Sequence, residues 1–497
     1  MEMSTWKISQ SIRQRKALER GFEFRPGPNR IALLYPSPYR VGMSSLGFQW
    51  IHKLANDAGL AAERAFLPDD PEAWKKSRLP LCTIETQTPL SDFPVIGVSM
   101  AYELELDGLL TALELAGIPP LRRDRRPSDP LILLGGPLTF SNPLPTAPFV
   151  DAMLLGEADE ITVPALEEAL GSDRETWLDR IEELGGYVPE RHGTHLPPVT
   201  QSSDKLLPAR SHIVTPDAEL SDMFLLEGER GCHRTCTFCV MRRGSMGGMR
   251  VVSPDKLLSL IPEDAPRVGL VGAAISDHPQ LVPLLESLVE QGRGIGISSL
   301  RADQVARKPR IAELLRKGGY KTLTVASDAA SQRLRRTIAK GTIERHLVDC
   351  AKLAAEHRYR VLKIYMMVGL PGETEDDIDE LVQFTRDLAR IHPIALGIAP
   401  FVPKRNTPLD TAEYAGIPTV EKHLKRLRKG LAGKAVVRPT SARWAWIEAE
   451  MAQGGPAWGE AVYEAHKAGS RFADYKRAFA ALDPALRAPW RNEQAAS

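Results

Sequence analysis

Glu227-Gly228-Glu229-Arg230-Gly231-Cys232-His233-Arg234-Thr235-Cys236-Thr237-Phe238-Cys239 carries three of the chain's five cysteines within eight residues, directly after the apolar run Phe224 to Glu227. Five cysteines in 497 residues cannot form a disulfide framework. Three thiols at this spacing can instead wrap one face of a metal centre, because thiolates select soft or borderline metals and hold iron–sulfur clusters. Three ligands on a four-iron cube leave one iron open. The competing reading is a structural zinc loop closed by His233. Structural zinc usually takes two well-separated ligand pairs, however, and a His next to a ligating Cys is poorly placed to close the tetrahedron. The third cysteine argues against a redox disulfide. Cys82 and Cys350 stand alone and read as small buried apolar side chains.

Working outward, Phe224 to Glu227 opens an alternation of apolar runs and amphipathic stretches. Further runs lie at Val268 to Val271, Ile295 to Leu300, Thr322 to Ala326, Leu362 to Val368 and Leu396 to Val402. Six strand–helix units predict a partial (βα)6 TIM-type barrel over 221–415, with its chemistry at the carboxyl ends of the strands. A helical, Ala-rich region over 416–497 follows it, and Trp444, Trp446 and Trp458 there are either a cap on the barrel or core. The first half alternates in the same way, with strands expected at Ile31 to Tyr35, Val95 to Met100, Leu131 to Leu134 and Ala152 to Leu155. Helices are expected at Leu46 to Leu60, Leu104 to Ala116 and Ile161 to Leu170. That pattern predicts a doubly wound, Rossmann-like domain over 1–172, which would bind a ligand beyond the carboxyl ends of its strands. The Pro-, Ser- and His-rich stretch 173–220 reads as a linker.

Lys and Arg number 64 against 63 Asp and Glu, so the net charge of +1 does not support binding to bulk nucleic acid. Met1 to Arg30 lacks the apolar core of a signal peptide, and no apolar stretch reaches membrane-spanning length. The protein is expected to be cytoplasmic, with no membrane span.

The cysteine loop resembles that of the radical SAM superfamily, whose signature is Cys-x-x-x-Cys-x-x-Cys after the first barrel strand, usually with an aromatic residue before the third Cys. Phe238 takes that place. The resemblance implies that Cys232, Cys236 and Cys239 hold a 4Fe-4S cluster whose open iron binds S-adenosylmethionine. One electron then cleaves the sulfonium to methionine and a 5'-deoxyadenosyl radical.

Further segments extend the resemblance and imply contacts to S-adenosylmethionine. Val271-Gly272-Ala273-Ala274 ends the second strand where relatives often carry Gly-Gly-Glu. Gly272 and Ala273 would keep the backbone role while the acid is missing, with Ser276 and Asp277 as nearby candidates to replace it. Asp277 reads equally well as a helix N-cap. Ser298-Ser299-Leu300-Arg301 follows the third strand, and its Ser298 and Arg301 would reach the nucleoside or carboxylate. Ser327-Asp328 replaces a Pro-Glu after the fourth strand. Val368, Gly369 and the Leu370-Pro371-Gly372 turn end the fifth strand, and Pro400 and Val402 end the sixth; both would contact the adenine.

Arg30 to about Glu168 resembles the cobalamin-binding-type domain fused before many radical SAM barrels. This implies a cobalamin site at Ser37, Gly42, Ser44, Gly47, Gly135, Gly136 and Gly156. The loop from Pro36 to Gly47 contains no imidazole or thiol to serve as a lower cobalt ligand. Cobalamin would therefore bind without one, or the domain serves substrate or structure. The two remaining cysteines are too few for the second cluster of methylthiotransferases. The expected function is a radical S-adenosylmethionine enzyme, of cobalamin-type methyltransferase activity on an unactivated carbon. The alternatives are a cobalamin-independent enzyme that abstracts hydrogen for rearrangement or RNA or peptide modification, and a structural metal-binding module. The enzyme readings require an electron donor such as flavodoxin or ferredoxin, and Arg242, Arg243 and Arg250 are candidates to dock it or the substrate.

Overall fold

The computed structural model describes residues 5–242, 247–298 and 300–491. The chain forms two compact units, Met1–Asp222 with Glu450–Ser497, and Met223–Ala449. The stretch 173–220, read from sequence as a linker, lies within the first unit. There the helix Arg174–Glu183, capped by Asp173, buries Trp177, Leu178 and Ile181. Trp177 donates its indole N–H to the Ala165 carbonyl at 2.8 Å. The helical C-terminal region divides between the units, and Trp458 is buried in the first, against the glycine at Gly454.

The first unit is built on a parallel sheet of β1 (Arg30–Pro38), β2 (Ala61–Leu67), β3 (Val95–Ser99), β4 (Leu131–Gly135) and β5 (Ala152–Met153), in the order β2-β1-β3-β4-β5. The interior strand β1 runs Ile31-Ala32-Leu33-Leu34 with almost no exposure, as a strand covered on both faces requires. Strands are added outward from β1 to β2 on one side and then from β3 to β5 on the other, so the switch point falls at the carboxyl ends of the parallel pair β1 and β3. This is the expected doubly wound arrangement.

Strand β2, Ala-Ala-Glu-Arg-Ala-Phe-Leu, was not expected, because charged residues interrupt its apolar pattern. Both charges are buried and paired. Arg64, 1% exposed, donates to Glu19 at 2.9 and 2.7 Å and to Glu85 at 2.7 Å. Glu63 accepts from Arg30, Thr83 and Thr86.

In the second unit β6 (Phe224–Glu227) pairs in parallel with β9 (Arg267–Val271), and β9 with β10 (Gly294–Ile297). Between β6 and β9 lies an antiparallel ribbon, β7 (Glu229–Gly231) with β8 (Met249–Val251). A second parallel sheet runs β11 (Leu300–Arg301), β12 (Thr322–Asp328), β13 (Val361–Val368), β14 (Ile394–Pro400) and β15 (Val436–Pro439). The third expected strand, Ile295 to Leu300, is thus broken in two. Its first half pairs with β9 and its second with β12, while Ser299 between them lies outside the described residues. The six expected strand positions are present, and β15 adds a seventh beside β14. The mixed α/β architecture with parallel sheets and a helical C-terminus is the one expected.

In the first unit, His466 joins the helix Pro456–Lys467 to the helix Glu105–Ala116. Its Nδ1 lies 2.9 Å from Asp107 and its Nε2 3.4 Å from Glu114. Burial alone would lower the imidazole's pKa, but the two carboxylates outweigh it and raise it to about 9. The folded chain therefore holds this proton between the ordinary histidine pKa, about 6.5, and about 9. The stabilisation is complete below that window and is lost as pH rises through it. In thermal melts, wild type is expected to lose stability between pH 6.5 and 9.5 by a component that His466→Asn lacks.

Candidate active site

The ribbon β7–β8 closes the base of the loop that carries the cysteines, with Glu229 opposite Val251 and Gly231 opposite Met249. Cys232 and Cys236 are buried and Cys239 partly so. Burial raises the Cys232 thiol, and it pushes Cys239 up to about 11, with Cys236 and Cys232 adding to the rise and Lys340 opposing it. Such thiols ionise when a metal centre supplies the compensating positive charge. The donor set, three thiols on one loop, fits an iron–sulfur cluster. His233, the fourth ligand that the zinc reading needs, is exposed.

A segment without a sequence signal holds the loop from below. Thr237 N–H donates to Ile338 O at 3.1 Å, and the Cys236 sulfur lies 3.8 Å from Ala339 O. Next along the chain, Lys340 pairs with Asp328, whose backbone is left-handed at φ +62°.

Beside the loop lies a buried charge network. Arg234 forks onto Asp277 at 3.0 and 2.6 Å, and Arg301 lies 3.0 Å from Asp303 and 3.7 Å from Asp277. Arg301 also donates to Lys340 O at 2.9 Å. Asp277 therefore does not cap a helix. The following helix, Leu281–Glu290, begins at Gln280 without a side-chain cap. Ser276 Oγ accepts the Arg301 N–H at 3.1 Å.

Of the residues singled out for S-adenosylmethionine, Gly272 and Ser298 come together, with Ser298 Oγ donating to Gly272 O at 3.3 Å. Ala273 is exposed at the same strand end, and Phe238 and Val402 are half-buried. Val368 is fully buried, and its carbonyl accepts Phe401 N–H at 2.8 Å. Gly369, at φ +81°, turns its Cα toward Ala415 and Val420, and Pro400 is buried beside this turn. Ser299 and Arg243 lie outside the described residues.

Sequence reasoning missed Glu229. Its side chain is fully buried, and Oε1 accepts Ala274 N–H at 2.6 Å. Its only sequence signal is its place three residues before Cys232.

In the first unit, Ser37 donates to Glu105 at 3.0 Å at the β1/β3 switch point, and Ala101 N–H donates to the same carboxylate at 2.5 Å. Ser44 donates to Arg40 O and accepts Leu220 N–H. A Cβ at Gly42 would strike the Phe66 ring, at Gly136 the Met100 backbone, and at Gly156 the Thr200 backbone. Gly47 faces open space, and Gly135 has only Leu154 O near, at 3.9 Å.

The family models match in the same order as the units. A model of radical SAM proteins, N-terminal, covers residues 47–189, and one of the radical SAM superfamily covers 228–385. The chain belongs to the radical SAM superfamily and is an enzyme of that kind, whose family cofactors are a 4Fe-4S cluster and S-adenosylmethionine. It is 26% identical over 413 residues to the uncharacterized protein MJ0966 of Methanocaldococcus jannaschii, covering 80% of this chain and 83% of that one. It is 30% identical over 229 residues to the ribosomal protein uS12 methylthiotransferase RimO of an Anaeromyxobacter species, covering 41% and 45% of the two chains. In fold it is similar to the radical S-adenosylmethionine methyltransferase TsrM of Kitasatospora setae, with TM-score 0.52 and 13% identity, covering 79% of this chain and 76% of that one.

Removing Arg234 would leave the Asp277 carboxylate, 1% exposed, facing Arg301 alone. Arg234→Met is expected to destabilise the second unit by about 2 kcal/mol in denaturant unfolding. This is less than the roughly 3–5 kcal/mol for breaking a fully buried pair, because Arg234 is itself partly exposed.

Proposed function

We propose that Cys232, Cys236 and Cys239 hold the 4Fe-4S cluster, that the chain cleaves S-adenosylmethionine reductively there, and that it transfers a methyl group to an unactivated carbon. The observation that carries this reading is the position of three buried or half-buried thiols on one clamped loop, at the carboxyl end of the first strand of a parallel array. The methyl-transfer part is supported by the fold likeness to TsrM, which spans both units and has been described with cobalamin and a [4Fe-4S] cluster bound.

Cobalamin would supply a methyl carrier for a carbon that S-adenosylmethionine alone, an electrophile, does not methylate. In this chain the open backbone of Gly47 and Gly135 offers it close approach, and Glu105 orients Ser37 at the same sheet edge. A cobalamin-independent radical reaction is the second reading. It is favoured by Gly42, Gly136 and Gly156, whose missing side chains make room for the chain's own atoms. A low-potential electron carrier of the flavodoxin or ferredoxin kind is the proposed reductant. No helix among the described residues is long and apolar enough to cross a membrane, and we place the enzyme in the cytoplasm.

Anaerobic reconstitution tests the reading. About four irons per chain are expected in the wild type, with loss of the cluster's absorbance in Cys232→Ala, Cys236→Ala and Cys239→Ala. With a reductant, the loaded chain should convert S-adenosylmethionine to methionine and 5'-deoxyadenosine. Retention of cobalt after desalting with hydroxocobalamin, together with S-adenosylhomocysteine among the products, would mark methyl transfer. Iron without cobalt and no S-adenosylhomocysteine would select the second reading. An iron-free chain that holds zinc would overturn both.

A further inference from the structure

Beside the cysteine loop lies a carboxylate oxygen of Glu229 for which the described residues provide no hydrogen-bond partner. Glu229 projects from β7, and Oε1 accepts the Ala274 N–H at 2.6 Å. Gly272 lacks a side chain at the point where this carboxylate lies, and a Cβ there would collide with Oε1. Among the described residues Oε2 is buried without a hydrogen-bond partner, and the side chain as a whole has no exposure. A buried polar atom left unpaired costs the full desolvation of that group, and more if the group is charged. The energetic cost is large enough that the site calls for a donor.

The neighbouring carboxylates are already matched. Glu227 is forked by Arg230 at 2.7 and 2.8 Å, Asp277 by Arg234, and Asp328 is paired with Lys340. Glu229 alone in this set has no cation. Burial, assisted by Glu227 and Asp277, pushes its carboxyl up to about 7, so its charge is poorly tolerated until a cation arrives. The strand end it lies against, Gly272 to Ala274, is bridged to β10 by Ser298, so the oxygen sits where two strand ends meet next to the cysteine loop.

We propose that Glu229 receives the α-ammonium group of S-adenosylmethionine, with Oε2 as the acceptor, and so supplies from β7 the acid that the end of β9 does not carry. The ammonium is the cationic hydrogen-bond donor of that molecule, and one charge-assisted bond both satisfies the oxygen and stabilises the ionised carboxyl. This assignment rests on the radical SAM reading above. A purely structural Glu229 would need only an acceptor for Ala274 N–H, and glutamine provides one.

The test therefore uses Glu229→Gln and two probes, S-adenosylmethionine and its analogue lacking the α-amino group, with binding measured anaerobically on the reconstituted chain. The variant is expected to keep the iron content of the wild type and to bind S-adenosylmethionine at least about tenfold more weakly, the loss of one charge-assisted bond. Its affinity for the analogue should be unchanged, so that it no longer distinguishes the two. A variant that binds S-adenosylmethionine as tightly as wild type, while wild type cleaves it, overturns the assignment of Glu229 and leaves the radical SAM reading standing. A wild-type chain that loads iron yet binds neither probe overturns both. Should Glu229→Gln fail to fold, infrared difference spectra of the unaltered chain at pH 6 put the same question. S-adenosylmethionine is expected to ionise a protonated carboxyl where the analogue does not, and the absence of that band overturns the proposal.

Discussion

The parallel register of β6 on β9 is the constraint on which the rest of the second unit depends. It sets Phe224 against Val268 and Glu227 against Val271, so the chain leaves both strands at the same level. A slip of one residue would turn every side chain to the opposite face. Met223, just before β6, fixes this register sterically. Its thioether fills the space that Gly269 and Gly296 leave on the next two strands, where a Cβ would collide with it. Two glycines and one methionine thereby align three strand ends. Only with that alignment do the cysteine loop, the Gly272 turn and Ser298 come to one place.

Both units bury charge, and apart from Glu229 the charges of these networks are paired. In the first, Arg64 lies between Glu19 and Glu85, and Glu63 is satisfied by Arg30 and two threonines. In the second, Arg234, Asp277, Arg301 and Asp303 form a chain of alternating sign. Such networks add little net stability over an apolar core, but removing one member is costly. Their effect is to hold loops that lack an apolar core of their own. The Cys232 loop shows this. It is short of apolar residues and is held by Arg234, by the Thr237 backbone bond to Ile338, and by the β7–β8 ribbon.

Much of this was legible in the sequence wherever periodicity and burial agree. Continuous apolar runs such as Ile31 to Leu34 and Leu362 to Val368 became central parallel strands, because both faces of such strands are covered. The cysteine spacing stood out because no core needs three thiols in eight residues. What escaped notice was polar and buried together. Strand β2 was hidden by Glu63 and Arg64, whose partners are up to 45 residues away in the chain. Strand β15 was too short to register, and it depends on its pairing with β14. The clamp at Ile338 to Lys340 contributes mainly backbone carbonyls, which no residue pattern announces.

Glu229 shows a general limit of reading sites by aligned segments. A strand-end motif names residues along one strand, whereas a ligand at the edge of a parallel sheet meets groups from several strands at once. The chemistry fixes where a carboxylate must be, and it leaves open which strand brings it. Once the register holds β6 beside β9, a side chain two residues past the end of β6 lies against the Gly272 turn as closely as one from β9 itself. The glycine at 272 then becomes a steric requirement of the acid on the neighbouring strand. Gly272 and Glu229 form one unit, separated by 43 positions in sequence and held together where Ala274 N–H donates to the Glu229 carboxylate.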